Sequence, residues 1–347
     1  DGIDAQATID ELKALASEVA FVQPVLNYHN VAIKIDSSKL TQIAHMDNVF
    51  AVEERTERKR LDEAQGQILA NNISGNAPSG PGYLSWLTSK GFTSSQFGSF
   101  AVNVVDDSAS LTGHPDVPNT RIVFQNNPTA QPAVQGGHGF LNAHIVGGLN
   151  TGTGSAFEDA SGYNYGLGIA PYARLGVTAI FGDAAATPTN WENTAYGQGA
   201  RISSNSWGFI GSTDRRYNAS GQEFDRIVRD AQTGVTGLQE LTVVFAAGND
   251  GSGANTVGSP ATAKNIITVG AGENFRQTGN DGCGIGNTGA NSLNDIISFS
   301  SRGPVNSTGG DGRIKPDIMA PGTHIEAGVP QSNYDGSSVC NQFFPSD

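Results

Sequence analysis

The 347-residue sequence predicts an α/β fold with a mostly parallel central sheet and helices on both faces. Three observations carry this. The runs FAVNVVD, RLGVTAIF, ARISSNSW, LTVVFAAG and NIITVGAG are short and continuously apolar or β-branched rather than alternating. Strands buried on both faces read this way. Between the runs stand Gly-rich loops and helix-like segments such as GQEFDRIVRDAQTG, the arrangement that covers a parallel sheet with helices. Hydrophobic residues make up 37% of the chain, charged residues 15%, and 45 residues are Gly. That balance fits a compact, loop-rich enzyme better than a coiled coil or a disordered tail.

Taken in order, residues 1–60 read as a small α+β unit of their own. IDELKALASEVA places Ile9, Leu12, Leu15, Ala16 and Val19 on one helical stripe. NVAIKID alternates Val31, Ile33 and Ile35 as a half-buried strand does. Ser37 or Ser38 is placed to cap a short helix in SSKLTQIAHM, and NVFAVEE reads as a second strand. The charged ERTERKR segment reads as exposed. Residues 61–96 form a linker and the first helices of the next domain: a helical run in LDEAQGQILANN, a turn at PSGPG and a helix in YLSWLTSKG. The sheet domain occupies residues 97–347.

A net charge of −13 with no basic stretch argues against nucleic acid as a partner. No run of about 18 apolar residues exists, so no membrane span is expected. The opening DGIDAQATIDEL carries no leader pattern, which leaves room for a targeting segment already removed. Cys283 and Cys340 lack the spacing of a zinc site and sit in loop-like sequence, where free thiols and a disulfide are both open.

In such a sheet, ligands bind beyond the carboxyl ends of the strands. Four segments with chemistry-bearing residues fall at strand or helix ends. AVNVVDDSAS ends in Asp106 and Asp107, with GHPDV soon after; GGHGFLNAHIVGG puts His138 at a helix start; SSNSWG closes one strand and VFAAGND another. With GLGIAPYARLGV, SPATAKNIITVGA, ISFSSRGP and DGRIKPDIMAPGTHI following in order, residues 97–330 resemble a subtilisin-like serine protease, a subtilase.

The resemblance implies a Ser-His-Asp triad working through an acyl-enzyme. His138 would be the general base. Asp106 would hold its imidazole, with Asp107 as the alternative, because spacing from His114 selects the second aspartate and Ser108 stands where glycine is usual. Asn249, between Gly248 and Gly251, would aim an amide N–H at the oxyanion. Ser206, Trp207 and Gly208 would offer an extended substrate a strand edge, and Ala246, Ala247 and Gly248 would line the pocket for the residue before the scissile bond. No cofactor is implied for the chemistry. Asp116 stands where structural calcium is allowed, although TGTGSAFEDASGYNY departs from the usual calcium loop. His144, His114, His29, His45 and His324 read as structural or solvated.

The Gly-Thr-Ser segment that carries the nucleophile in this family is not found. Ser338 in YDGSSV is the nearest imitation, and the serine is expected beyond residue 347. Residues 1–60 resemble the later part of a subtilase propeptide, which would inhibit the cleft intramolecularly. The expectation is a secreted zymogen acting on protein or peptide substrates; the alternative is a silent pseudoprotease that binds extended peptides.

Overall fold

The computed structural model describes residues 5–25, 27–52, 58–60, 67–109, 114–126, 137–153, 157, 163–164, 166–181, 187–209, 215–275, 289–305, 311–325 and 327–328. Ser338, Cys283 and Cys340 lie outside them.

The chain begins with helix α1 (Ala5–Leu15), whose Ile9 and Leu12 are buried. It ends four residues before the predicted stripe does. Val19 belongs instead to β1 (Glu18–Val25), because EVAFVQPV finds an antiparallel partner in β2 (Tyr28–Lys34). The short helix α2 (Leu40–Ala44) follows a 3₁₀ turn capped by Asp36, not by Ser37 or Ser38; the Asp36 carboxylate accepts from Ser38 N at 2.9 Å. The expected strand at NVFAVEE is absent from its described residues, 48–52: no strand pairs with them, and Phe50 is 88% exposed. The described part of the charged run, residues 58–60, forms β3 (Arg58–Arg60). In the run read as a helix, the described part is a 3₁₀ turn at Gln67–Ala70, stopped by Asn71 at φ 51°. A two-residue ribbon, β4 (Ile73–Ser74) with β5 (Ala77–Pro78), leads into the predicted helix, α3 (Tyr83–Ser89).

The sheet domain then builds β6 (Ala101–Asp106), β7 (Ile122–Asn126), helix α4 (Gly137–Gly147), β8 (Arg174–Ala179), helix α5 (Pro188–Gly197), β9 (Ala200–Asn205), β10 (Trp207–Phe209), helix α6 (Ala219–Arg229), β11 (Thr242–Ala246), β12 (Ile267–Gly272) and β13 (Ile318–Pro321). Seven of these strands form one sheet in the order β13-β12-β11-β9-β6-β8-β7, and every pairing is parallel. The α/β prediction holds. From β6 the chain moves to the β7 edge, returns to β8 beside β6, then crosses to β9 on the other side. In parallel sheets such a reversal marks where ligands bind, at the carboxyl ends of the strands.

Strand parity decides what each face buries. Val102 and Val104 of β6 pack with Phe140 and Ala143 of α4. Val105 packs on the opposite face with Trp191 of α5 and with Phe224 and Ile227 of α6. Phe224 and Ile227 stand three apart on one helical stripe, and burying each contributes roughly 1.5–3 kcal/mol. The two layers fix α4 against β6, and with it the position of everything at the helix's first turn.

Candidate active site

Asp106 is the last residue of β6 and shares the α4 side with Val102 and Val104. His138 is the second residue of α4. The two side chains meet: His138 Nδ1 lies 2.8 Å from Asp106 Oδ1 and 2.9 Å from Oδ2, with both residues at most 2% exposed. A ring nitrogen facing both oxygens of a carboxylate carries its proton on that side, which fixes the neutral imidazole in the tautomer with its lone pair on Nε2. The carboxylate is held in turn. Asp106 Oδ1 accepts from Asp107 N at 2.7 Å, and Oδ2 accepts from Asn142 Nδ2 at 3.2 Å.

Asp107, the alternative acid, does something else. Its Oδ1 accepts from Gly139 N at 2.7 Å, placing a buried carboxylate on the first turn of α4, where helix N–H groups lack internal partners. The approach is so close that a Cβ on Gly139 would stand 1.9 Å from Ser108 O, so a glycine is required there. Ser108 takes φ 103°, a backbone conformation more readily reached by the glycine usual at that point.

Asn142 was not anticipated. It stands one helical turn after His138 and bridges three elements, donating to His138 O at 3.0 Å as well as to Asp106 while its Oδ1 accepts from Ser206 Oγ at 2.9 Å. The i, i+4 spacing on a helix that carries a functional histidine was the available signal. Ser206 thereby turns its side chain into the Asp-His network and leaves only its main chain for an extended ligand.

Trp207 is 1% exposed and packs edge-on against Phe245 at 5.0 Å, so its indole is core. Its main chain is the useful part. β10 pairs antiparallel with β3, matching Trp207 to Arg60, Gly208 to Lys59 and Phe209 to Arg58. Of the edge read from SNSWG, Trp207 and Gly208 are in the pairing and Ser206 is not; residues 58–60 occupy it. Ala246 and Ala247 are buried at the end of β11, with Ala247 in the apolar core beside Trp207. Gly248 then turns at φ 107°, its carbonyl accepting from Ser301 N at 2.9 Å. Asn249 follows, exposed, at the carboxyl end of the sheet beyond β11. Since β6, β9 and β11 are in register through Val105, Asn205 and Phe245, Asp106, Ser206 and Asn249 all leave the sheet at the same rim.

Below the rim lies a buried polar chain. Glu192 of α5 accepts from Ser203 Oγ and lies 3.5 Å from Asn103 Nδ2; Asn205 Nδ2 donates to Ser203 Oγ at 2.9 Å, and Trp207 Nε1 to Asn205 Oδ1 at 3.1 Å. Complete burial pushes the Glu192 carboxyl up to about 7, against its hydrogen bonds. His114, Asp116 and His144 cluster separately from the Asp106–His138 pair; burial and then the neighbouring His144 push the His114 imidazole below its usual range. Among the described residues, no helix is long and apolar enough to cross a membrane.

Residues 99–345 match the subtilase family. Among curated proteins, the serine protease AprX of Bacillus subtilis strain 168 is 38% identical over 85 residues, and pyrolysin of Pyrococcus furiosus is 41% identical over 99 residues. These alignments span 24% and 26% of this chain but only 16% and 7% of those proteins. Among solved structures, the prenylagaramide maturation protease PagA is 19% identical, with 70% of each chain covered and a TM-score of 0.42.

Proposed function

The chain belongs to the subtilase family, and on that premise we propose that it is a serine endopeptidase whose acid–base pair is Asp106 and His138. The buried contact of His138 Nδ1 with both Asp106 oxygens carries this reading. It leaves Nε2 as the base that takes a serine hydroxyl proton and later returns it to the leaving amine. Asp106 stabilises the imidazolium formed in between, and Asn142 and Asp107 N keep the carboxylate aimed. The nucleophile is assigned to a serine that follows Gly328 in sequence and lies outside the described residues; Ser338 is the candidate within the chain. No cofactor takes part in these steps.

Asn249 is assigned to the oxyanion. Its place after a left-handed Gly248 at the site's rim supports this, since a donor there meets charge that develops only in the transition state. Asn249→Ala is expected to lower kcat about a hundredfold with KM nearly unchanged. An equal loss in 1/KM instead would assign it to substrate binding.

The substrate is an extended segment of a protein or peptide. It would pair main chain to main chain with Trp207–Phe209, next to Ala246, Ala247 and Gly248. Support comes from β3, which already makes this pairing within the chain. Residues 1–60 are accordingly read as an inhibitory propeptide of a secreted zymogen. Added in trans to the active protease, the 1–60 segment is expected to inhibit competitively; no inhibition at a large molar excess would remove that assignment.

A fluorophosphonate probe tests the central reading. On the gene product it should label one serine later in sequence than Gly328, and His138→Ala should abolish the labelling. Labelling of equal extent in both proteins would overturn it.

A further inference from the structure

We propose that His114, Asp116 and His144 form a transition-metal site of the zinc class. It is separate from the Asp106–His138 pair, since His144 stands six residues beyond His138, about 9 Å along the helix axis. His144 Nε2 is 3.2 Å from Asp116 Oδ2, His114 Nδ1 is 3.8 Å from the same oxygen, and one ligand atom from each residue lies within 4.8 Å of the others. Metal–ligand bonds of about 2.0–2.1 Å at tetrahedral angles put neighbouring ligand atoms about 3.3 Å apart. The carboxylate–His144 spacing already has this value, and a small rotation of the His114 ring brings in the third ligand.

The surroundings keep that space open. The His114 and His144 rings meet edge to face with centroids 4.9 Å apart, and His114 also packs on Phe140 at 5.7 Å. A Cβ on Gly166 would sit 2.5 Å from Asp116 Oδ2; one on Gly328 would sit 2.7 Å from His114 Nε2 and 2.8 Å from His144 Nε2. Glycine backbone therefore lines the cluster where any side chain would fill it. Asp116 is anchored by its own main chain, its carbonyl accepting from Leu149 N at 2.9 Å and from Arg121 Nη1 at 3.3 Å. Its N–H donates to His114 Nδ1 at 3.2 Å, the one contact that a metal on Nδ1 would replace.

Two imidazoles and one carboxylate select zinc-class ions over calcium, which takes six to eight oxygens. His144 is buried, whereas the His114 and Asp116 side chains are 21% and 20% exposed, which gives an entry path and lets water complete the shell. A metal here ties the segment after β6 to α4, the helix that carries His138.

The test is made on the chelator-stripped chain carrying His138→Ala, titrated with Co²⁺ and then Zn²⁺. One equivalent of Co²⁺ should give the visible absorption of a four-coordinate site, Zn²⁺ should displace it, and Zn²⁺ should raise the thermal midpoint. His114→Ala should abolish both signals and His29→Ala neither; because His114 is half-buried, its variant decides even if His144→Gln fails to fold. Absence of stoichiometric Co²⁺ absorption, survival of the signals in His114→Ala, or displacement of Co²⁺ by Ca²⁺ would each overturn the proposal. None of these readouts involves peptide hydrolysis, so they do not depend on the proposed protease activity.

Discussion

Asp106→Asn is expected to lower kcat about ten-thousand-fold, while Asp107→Asn leaves it within about tenfold of the parent. The two residues are adjacent and both are buried, so charge and solvation alone do not separate them. Geometry does. An asparagine at position 106 can turn its amide toward His138 Nδ1, which then accepts rather than donates and leaves the proton on Nε2. The imidazole is thereby presented in the tautomer that cannot take a serine proton. At position 107 the same change removes a charge from the N-terminal turn of α4 but keeps an oxygen to accept from Gly139 N. It should cost about 1 kcal/mol of stability and little catalysis. The measurement is kcat/KM against pH for both variants of the gene product, with thermal midpoints alongside. Rate recovering in Asp106→Asn at high pH is expected, because hydroxide can substitute for the missing base. A larger kcat loss at 107 than at 106 would exchange their roles and, with them, the proposed mechanism.

Which aspartate faces the histidine was left open by the sequence, where the motif match favoured Asp106 and the spacing from His114 favoured Asp107. Val102, Val104 and Asp106 share one parity in FAVNVVD, and GGHGFLNAHIVGG is the helix that covers that side. Period 2 assigns Asp106 to that side only because α4 packs there, a tertiary fact that no local pattern carries. The central strands were readable, since burial on both faces leaves an unbroken apolar signature. The edge strands were not. IVFQN is half-buried and polar at its end, and IMAP closes on a proline, so neither carries that signature. Helix α5 has no apolar stripe because PTNWENTAYG buries a glutamate as well as a tryptophan; its start was nonetheless marked by Thr187, whose side chain caps Asn190 N, and by Pro188 in the first turn. At the N-terminus the helical stripe was carried past Leu15 because Val19 fell on the right spacing by coincidence. Pairing across a hairpin then overrode it.

Glu192 is the residue no local pattern could have found, since its partners Asn103 and Ser203 come from two different strands. Its consequence for stability is large. The carboxyl is raised from 4.5 to about 7 in the folded chain, so between those values the folded state keeps a proton that the unfolded state has released. Stability from this group is fully present below about pH 4.5 and is lost as pH rises through about 7. A shift of this size corresponds to on the order of 3 kcal/mol. Carboxylates elsewhere that gain partners on folding work in the opposite direction, so the raw stability curve mixes both effects. Glu192→Gln isolates the one of interest: the amide keeps the shape and can still accept from Ser203, but it cannot ionise. In a His138→Ala background that prevents self-digestion, the denaturation midpoints of the glutamate and glutamine proteins should converge near pH 4.5 and separate towards pH 8, with glutamine the more stable. The polar chain from Glu192 through Ser203 and Asn205 to Trp207 ends in the strand edge offered to substrate, so in the proteins that keep His138 the Glu192→Gln change should alter KM over the same interval. Parallel midpoint curves from pH 4 to 8 would mean that Glu192 is ionised in the folded protein throughout, and that the charge is carried by the hydrogen bonds of Ser203 and Asn103.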